Sequence, residues 1–280
     1  MASVRSSAMM LVALLILGAP VASAIASVSM PGSPALFRSH LLSAQTDFYN
    51  LDKERPLRVE DAYTTKRWAF EIQGSPLTLS QDRDGDLVYA PSIELKHGLL
   101  GGMEVSAGVS MVTARRNGET ETSTGDLELS SLLNLWLEGE RLPAAGFRVT
   151  GHLPLDSDES SYVELRGILT RSLTGRFRGH LNGAVVAGSN RDETMWAGLA
   201  IDHVLPFHHT LLLLEGWVAS PEEGRATIHS SAGTRVQLSP TVVLDGGVGR
   251  SWSGERGQDW SVTFGVTHEF GVRSIMPGGS

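Results

Sequence analysis

No cysteine occurs among the 280 residues, which excludes a disulfide framework and any thiolate metal site. No cluster of Lys and Arg appears, and the formal net charge is −8, a balance that argues against a nucleic-acid partner. Beyond residue 30 no apolar run approaches the ~20 residues that a membrane-crossing helix needs. Signatures of bound groups are also lacking. Gly246-Gly247-Val248-Gly249 lies in a strand-like stretch and opens no helix, so it is not a phosphate loop. Asp82-Arg83-Asp84-Gly85-Asp86 has the wrong spacing for a calcium loop, with Ile93 where the closing Glu would stand, and reads as a hairpin turn. His203, His208 and His209 could form a metal set, but adjacent histidines in a strand face opposite ways. No cofactor and no metal are expected.

What is present begins with an export signal. Arg5 supplies the positive end, residues 9–17 an apolar stretch too short to span a bilayer, and Ala22-Ser23-Ala24 a cleavage site, so residues 1–24 are expected to be removed. Residues 25–66 carry Pro31, Pro34 and Pro56 without a sustained period and read as an irregular N-terminal segment. Its acids Asp52, Glu54, Glu60 and Asp61 either fold inward as a partial plug or stay solvated.

From residue 67 to 272 the pattern changes to a period of two. In the last segment Trp260, Val262, Phe264, Val266 and Phe270 share one face, opposite Ser261, Thr263, Gly265, Thr267 and Glu269. Side chains alternate across a strand, so this is a ribbon apolar on one side and polar on the other. Further such segments lie at about 66–78, 87–97, 102–113, 124–138, 145–155, 161–173, 175–188, 195–205, 209–220, 226–238 and 241–252. Twelve is an even number, as single-chain outer-membrane barrels require. The sequence therefore predicts an all-β fold: an antiparallel up-and-down transmembrane barrel of about twelve strands, with ten or fourteen as alternative registers. A tail, 273–280, follows.

The connections alternate in the same sense. Charged stretches at 81–86, 114–124, 156–160, 189–194, 221–225 and 253–258 are expected outside, and short turns such as 98–102, 173–176, 206–209 and 239–241 on the periplasmic side, with the charged connection 139–144, carrying Glu140 and Arg141, as the exception. Trp68, Phe147, Tyr162, Trp196, Trp252, Trp260 and Phe270 lie near strand ends, where aromatic girdles form. Two features fit poorly: residues 211–214 are apolar on both faces, and Trp136 and Trp196 fall on the inner parity. A soluble β-sandwich is the competing fold, but burying the charges of the polar face in a dry core would be costly.

Arg55-Pro56-Leu57-Arg58-Val59-Glu60-Asp61-Ala62-Tyr63 followed by Trp68-Ala69-Phe70-Glu71, and towards the C-terminus Leu238-Ser239-Pro240, Leu244-Asp245-Gly246-Gly247-Val248-Gly249 and Val262-Thr263-Phe264-Gly265-Val266, carry a family resemblance. Over roughly 55–271 the chain resembles the transporter-like outer-membrane proteins grouped with the meta-pathway of phenol degradation. The resemblance implies a barrel that passes solutes, without implying phenol as the solute. One departure is the tail: such barrels often end on an aromatic residue, whereas residues 271–280 follow Phe270 here.

The candidate site is the charged inner face, read as pore-lining. Its first strands place Glu71, Glu94, Glu104, Asp126 and Glu128 inward, with Lys96 among them. The following strands place Arg148, His152, Arg166, Arg178 and His180 inward, with Glu164 among them, and Arg235 and Glu269 complete the set. Acid facing base would set a transverse field that orients a small polar or zwitterionic solute. Alternatively the same charges pair across the lumen and fill it, giving a structural or adhesive barrel. A third reading, a barrel-wall lipid hydrolase, would use His229 and Ser231 on one strand face. Expected surroundings are outer-membrane lipid and lipopolysaccharide, with periplasmic chaperones and the barrel-assembly machinery as partners during biogenesis; oligomeric state is left open.

Overall fold

The computed structural model describes residues 48–82, 85–116, 118–155, 160–188, 194–206, 209–220, 226–253 and 258–272. The expected export signal, residues 25–47, the tail from 273 and most of the expected external loops lie outside the described residues. Thirteen strands follow in order: β1 Ala69–Asp82, β2 Leu87–Tyr89, β3 Ser92–Leu100, β4 Met103–Arg116, β5 Glu119–Trp136, β6 Ala144–Pro154, β7 Tyr162–Thr174, β8 Phe177–Gly188, β9 Met195–Val204, β10 Thr210–Ser220, β11 Thr227–Ser239, β12 Val242–Ser253 and β13 Gln258–Gly271. Neighbours pair antiparallel, and β13 pairs with β1 from Ala69↔Gly271 to Asp82↔Gln258, which closes the sheet. Closure leaves no open edge and removes the sandwich alternative.

The wall has twelve positions, because β2 and β3 share one. Both lie between β1 and β4. The ladder breaks at Ala90 and Pro91, since proline has no N–H to donate; the Pro91 carbonyl still accepts from Met111 N at 3.0 Å. The stretch 114–124, expected as a loop, is instead mostly ladder. Register from Met111↔Thr124 to Arg116↔Glu119 extends the β4–β5 hairpin to a tip at Gly118 (φ +86°). Gly85 (φ +91°) and the bond from Asp86 N to Asp82 Oδ1 form the β1–β2 turn.

Burial is inverted relative to a water-soluble domain. Leu199 and Leu214 are 63% and 64% exposed, whereas Arg166 and Arg235, on the opposite face, are 1% exposed. An apolar outside around a charged inside is the arrangement that lipid selects. Leu199→Arg, at the middle of β9, is therefore expected to lower folding stability in bilayers by about 2–4 kcal/mol, measured by denaturant titration. A loss below half a kcal/mol would deny that this face meets hydrocarbon.

Candidate functional site

The lumen is occupied by the chain itself. Phe48 meets the His209 ring at 5.8 Å and lines, with Gly175, Phe177 and Leu205, a cavity of about 440 Å³ at the short-turn end of the barrel. The chain then climbs to mid-barrel, where Arg55 donates to the carbonyls of Gly74 (2.9 Å) and Val266 (3.2 Å). A tight turn closes there, with Arg55 N bonded to Asp52 O and Glu54 exposed at its tip in the left-handed region (φ +61°). The return leg ends where Trp68 N bonds Gly98 O at 2.7 Å, and β1 begins one residue later.

Apolar contacts hold one side of this inner segment. Phe48, Leu51, Leu57 and Val59 are buried against inward-facing Leu211, Leu213, Val243, Ala200 and Trp196. Each such side chain contributes about 1.5–3 kcal/mol when fully removed from water. This explains why 211–214 is apolar on both faces: Leu212 and Leu214 face outward, Leu211 and Leu213 meet the segment. The wall makes room with glycine. A Cβ on Gly233 would stand 2.6 Å from Pro56 Cγ, one on Gly247 2.9 Å from Pro56 Cβ, and one on Gly198 2.8 Å from Val59 Cγ2.

Polar contacts hold the other side. Backbone groups of the segment, which cannot reach a ladder partner, bond to wall side chains instead. Asn182 accepts from Glu60 N and donates to Glu60 O, Thr170 accepts from Ala62 N, and Glu104 accepts from Thr65 N at 2.8 Å. Among the side chains, Glu60 bridges two wall arginines. Arg148 Nη2 lies 2.8 Å from Oε2 and Arg166 Nη1 3.0 Å from Oε1, with both guanidinium groups buried. Asp52 bridges Lys96 (2.7 Å) and Arg235 (2.8 Å), Lys53 pairs with Glu128, and Arg55 lies 3.5 Å from Asp245. Asp61 lies 3.5 Å from Arg178, which also pairs with Asp202 at 2.6 Å beside His180.

All fourteen residues of the expected charged face point inward, and they fall into two groups. Lys96, Glu104, Arg148, Arg166, Arg178, Arg235 and Glu128 contact the inner segment. The others contact wall groups: Glu164 holds Arg166 at 2.7 Å, His180 holds Asp202 at 3.0 Å, Glu94 lies 4.0 Å from Lys96, and His152 lies 3.6 Å from both Asp126 and Glu128. Glu71, hydrogen-bonded by Gln73, sits directly opposite Glu269 across the β1–β13 ladder. Sequence parity did not single out Glu215, Asp202 or Trp217, although each is on the inner face of its strand; it does put Asn182 on the inner face with Arg178 and His180.

Two expected aromatic positions are corrected. Trp196 is buried inside the barrel rather than in a girdle, because its indole N–H is bonded to Glu164 and its ring faces two guanidinium groups. Tyr162 stacks on His152 at 4.0 Å. Trp136 has the opposite history: a register shift between Asn134 and Trp136 leaves it 48% exposed. His229 bonds Ser251 (2.7 Å), and its ring stacks on Trp217. Ser231 hydrogen-bonds Glu215, so His229 and Ser231 each have another partner. Of the three histidines considered for metal, His208 lies outside the described residues, while His203 stacks on Phe177. Among the described residues no His, Cys, Asp or Glu cluster could hold a metal ion.

The acids of the segment respond to burial differently. For Asp52, burial favours the neutral form, but Lys96, Arg235 and Arg55 outweigh it and hold the carboxyl well below its usual range. For Lys53, burial opposes the charge, yet Glu128 and its neighbours raise the ammonium above its ordinary value. For Asp61, burial dominates and pushes the carboxyl up to about 6, with Arg178 and His180 offsetting it in part. A raised value in the docked state strengthens docking below about pH 4 and loses that strength as the pH rises through 6. Asp52 works in the other direction, but only below about pH 4. Between pH 4 and 7 Asp61 sets the sign, and docking is expected to weaken with rising pH by on the order of 3 kcal/mol. Occupancy of the lumen should therefore fall between pH 5 and 7.5, read as ion conductance, and the trend should vanish in Asp61→Asn.

No protein-family model matches this chain, and no curated protein sequence does either. Solved structures do. The crystal structure of an outer-membrane channel from Pseudomonas putida F1 is similar with a TM-score of 0.58 at 12% identity, over 75% of this chain and 98% of that one. The fold is that of an outer-membrane barrel. The KdgM porin in complex with disordered oligogalacturonate gives a TM-score of 0.51 at 9% identity, over 72% of this chain and 99% of that one. One is a channel and the other a porin; the grouping with phenol degradation gains nothing from them.

Proposed function

We propose that the chain is a passive outer-membrane channel for small polar solutes, held shut in the described state by residues 48–66. One observation carries this reading. Among the described residues, the ion pairs formed within the wall join the same or nearby strands, as in Arg178–Asp202 and Arg166–Glu164. The pairs that reach across the lumen pass through the segment, as Asp52 does from Lys96 on β3 to Arg235 on β11. Take the segment away and a water-filled, charged bore would remain, with Arg148, Arg166 and Arg178 together on β6–β8 and the acids spread over the other strands, from Glu71 on β1 and Glu104 on β4 to Asp202 on β9, Glu215 on β10 and Glu269 on β13. In a purely structural barrel the wall side chains would interdigitate with one another. The substrate class follows from that bore: small and polar, with charge-dependent selectivity.

On this reading the chain sits in the outer membrane of a Gram-negative bacterium, with its short turns periplasmic and its apolar belt against lipid and lipopolysaccharide. Assembly would engage periplasmic chaperones and the barrel-assembly machinery. An enzymatic role is set aside, because His229, Ser231 and Ser251 face the lumen and not the lipid that a hydrolase of this type would attack.

Planar-bilayer conductance tests the reading, comparing the full chain with a variant lacking residues 48–65. Heat-modifiable mobility verifies the barrel in both. Steady, ion-selective steps from the deletion variant and rare openings of the full chain are expected. A folded deletion variant that does not conduct would leave the structural or adhesive barrel as the better account.

A further inference from the structure

The inner segment brings one cation into an aromatic cage that belongs to the wall. The guanidinium of Arg58 lies 4.5 Å from the ring centre of Trp196 on β9 and 4.3 Å from that of Trp217 on β10. Beside them Glu215 accepts the backbone N–H groups of Arg58 (3.1 Å) and Val59 (2.9 Å).

What matters is who holds the cage. The Trp196 indole N–H donates to Glu164 at 3.1 Å, and Glu164 is fixed by Arg166. Trp217 is stacked on His229 with ring centres 3.6 Å apart, and Ser231 hydrogen-bonds Glu215. Every one of these supports is a wall side chain. The occupant, by contrast, sits on the segment whose removal defines the open state. Withdrawal of that segment would take two N–H donors from Glu215 and a cation from between two indoles, while the cage stayed assembled.

Two indole faces and a carboxylate form a recognised receptor for a planar cation. The rings attract the cation through their quadrupoles, and the carboxylate accepts its N–H groups in a directional way. We propose that Trp196, Trp217 and Glu215 form a binding site on the lumen wall for solutes that bear a guanidinium group, with Arg58 as its built-in occupant. The proposal deepens the channel reading by naming a solute class, and it rests on that reading for its role in passage.

The site can be tested without conduction. Full-length Arg58→Ala empties the cage, and ethylguanidinium chloride, which replaces the lost group, is titrated while tryptophan fluorescence is followed. Sodium chloride at matched ionic strength is the control. Saturable binding at roughly millimolar concentration is expected, at least tenfold weaker in the wild-type protein, where Arg58 competes. Arg58→Ala/Trp217→Leu and Arg58→Ala/Glu215→Gln should each weaken it at least tenfold. Should Trp217→Leu reduce the heat-modifiable fraction, Trp217→Phe and Glu215→Gln give the same comparison. Absence of saturation in Arg58→Ala, or saturation that ignores both cage substitutions, would overturn the site. A non-conducting deletion variant that still binds ethylguanidinium would count against the channel and not against the cage.

Discussion

Replacing Glu60 by Gln is expected to raise the open fraction of the barrel by roughly two orders of magnitude. Glu60 is 1% exposed and receives Arg148 and Arg166, which are themselves 2% and 1% exposed. Removing one member of a buried pair leaves the other charged and desolvated, at a cost of about 3–5 kcal/mol. Arg148 keeps Glu104 at 3.2 Å and Arg166 keeps Glu164, so the lower end applies. About 3 kcal/mol corresponds to a factor above 100 in the docking equilibrium. The ladder does not involve Glu60, so heat-modifiable mobility should be retained. Trypsin supplies a second readout, since Lys53 and Arg58 lie in the segment and should become cleavable when it leaves. Unchanged protection together with unchanged conductance would mean that closure does not depend on this carboxylate.

Gly233→Val is expected to expel the segment by shape alone. Gly233 on β11 and Gly247 on β12 are paired across the ladder and form a slot for the Pro56 ring. A Cβ at Gly233 already falls 2.6 Å from Pro56 Cγ, and two methyl groups extend further into the same space. Overpacking of this kind costs about 1–3 kcal/mol when neighbours can adjust. Here the neighbour on one side is wall backbone, with Gly246 O at 3.0 Å, so the movable partner is the segment. Rapid trypsin cleavage after Lys53 and Arg58 with an intact barrel is the expected pattern. Gly183→Val on β8, where an added Cβ meets nothing within 4 Å, is the control and should leave protection unchanged. Equal protection in both variants would show that the Pro56 slot does not decide docking.

The barrel was legible in the sequence because its physics is local. Alternation in β9 or β13 needs only one face in lipid and the other in the lumen, and a period of two records that within ten residues. The inward charges were legible for the same reason. The inner segment was legible only as one of two alternatives, a partial plug or a solvated stretch, because nothing within residues 48–66 dictates its path. Its partners lie far along the chain, as Arg55 and Thr267 do at a separation of 212 residues. Even so, traces were present on the wall. Doubly apolar 211–214 and inner-parity Trp196 looked like defects in a membrane strand and turned out to be contacts with the segment. The acids Glu60 and Asp61 carried no period to place them, and only the geometry of Arg148, Arg166 and Arg178 brings them to the basic wall.

The path of the segment has a topological consequence. It goes in and comes back through the same mouth, between the turn near His209 and the start of β1 at Ala69. In the proposed channel residues 48–66 are thus a stopper tethered at one mouth, whose withdrawal would part no strand of the wall. Attachment next to β1 also keeps its local concentration near the millimolar range typical of short tethers. A free peptide of the same sequence would have to approach that concentration to compete for the lumen, so in the proposed channel closure would be set within each barrel.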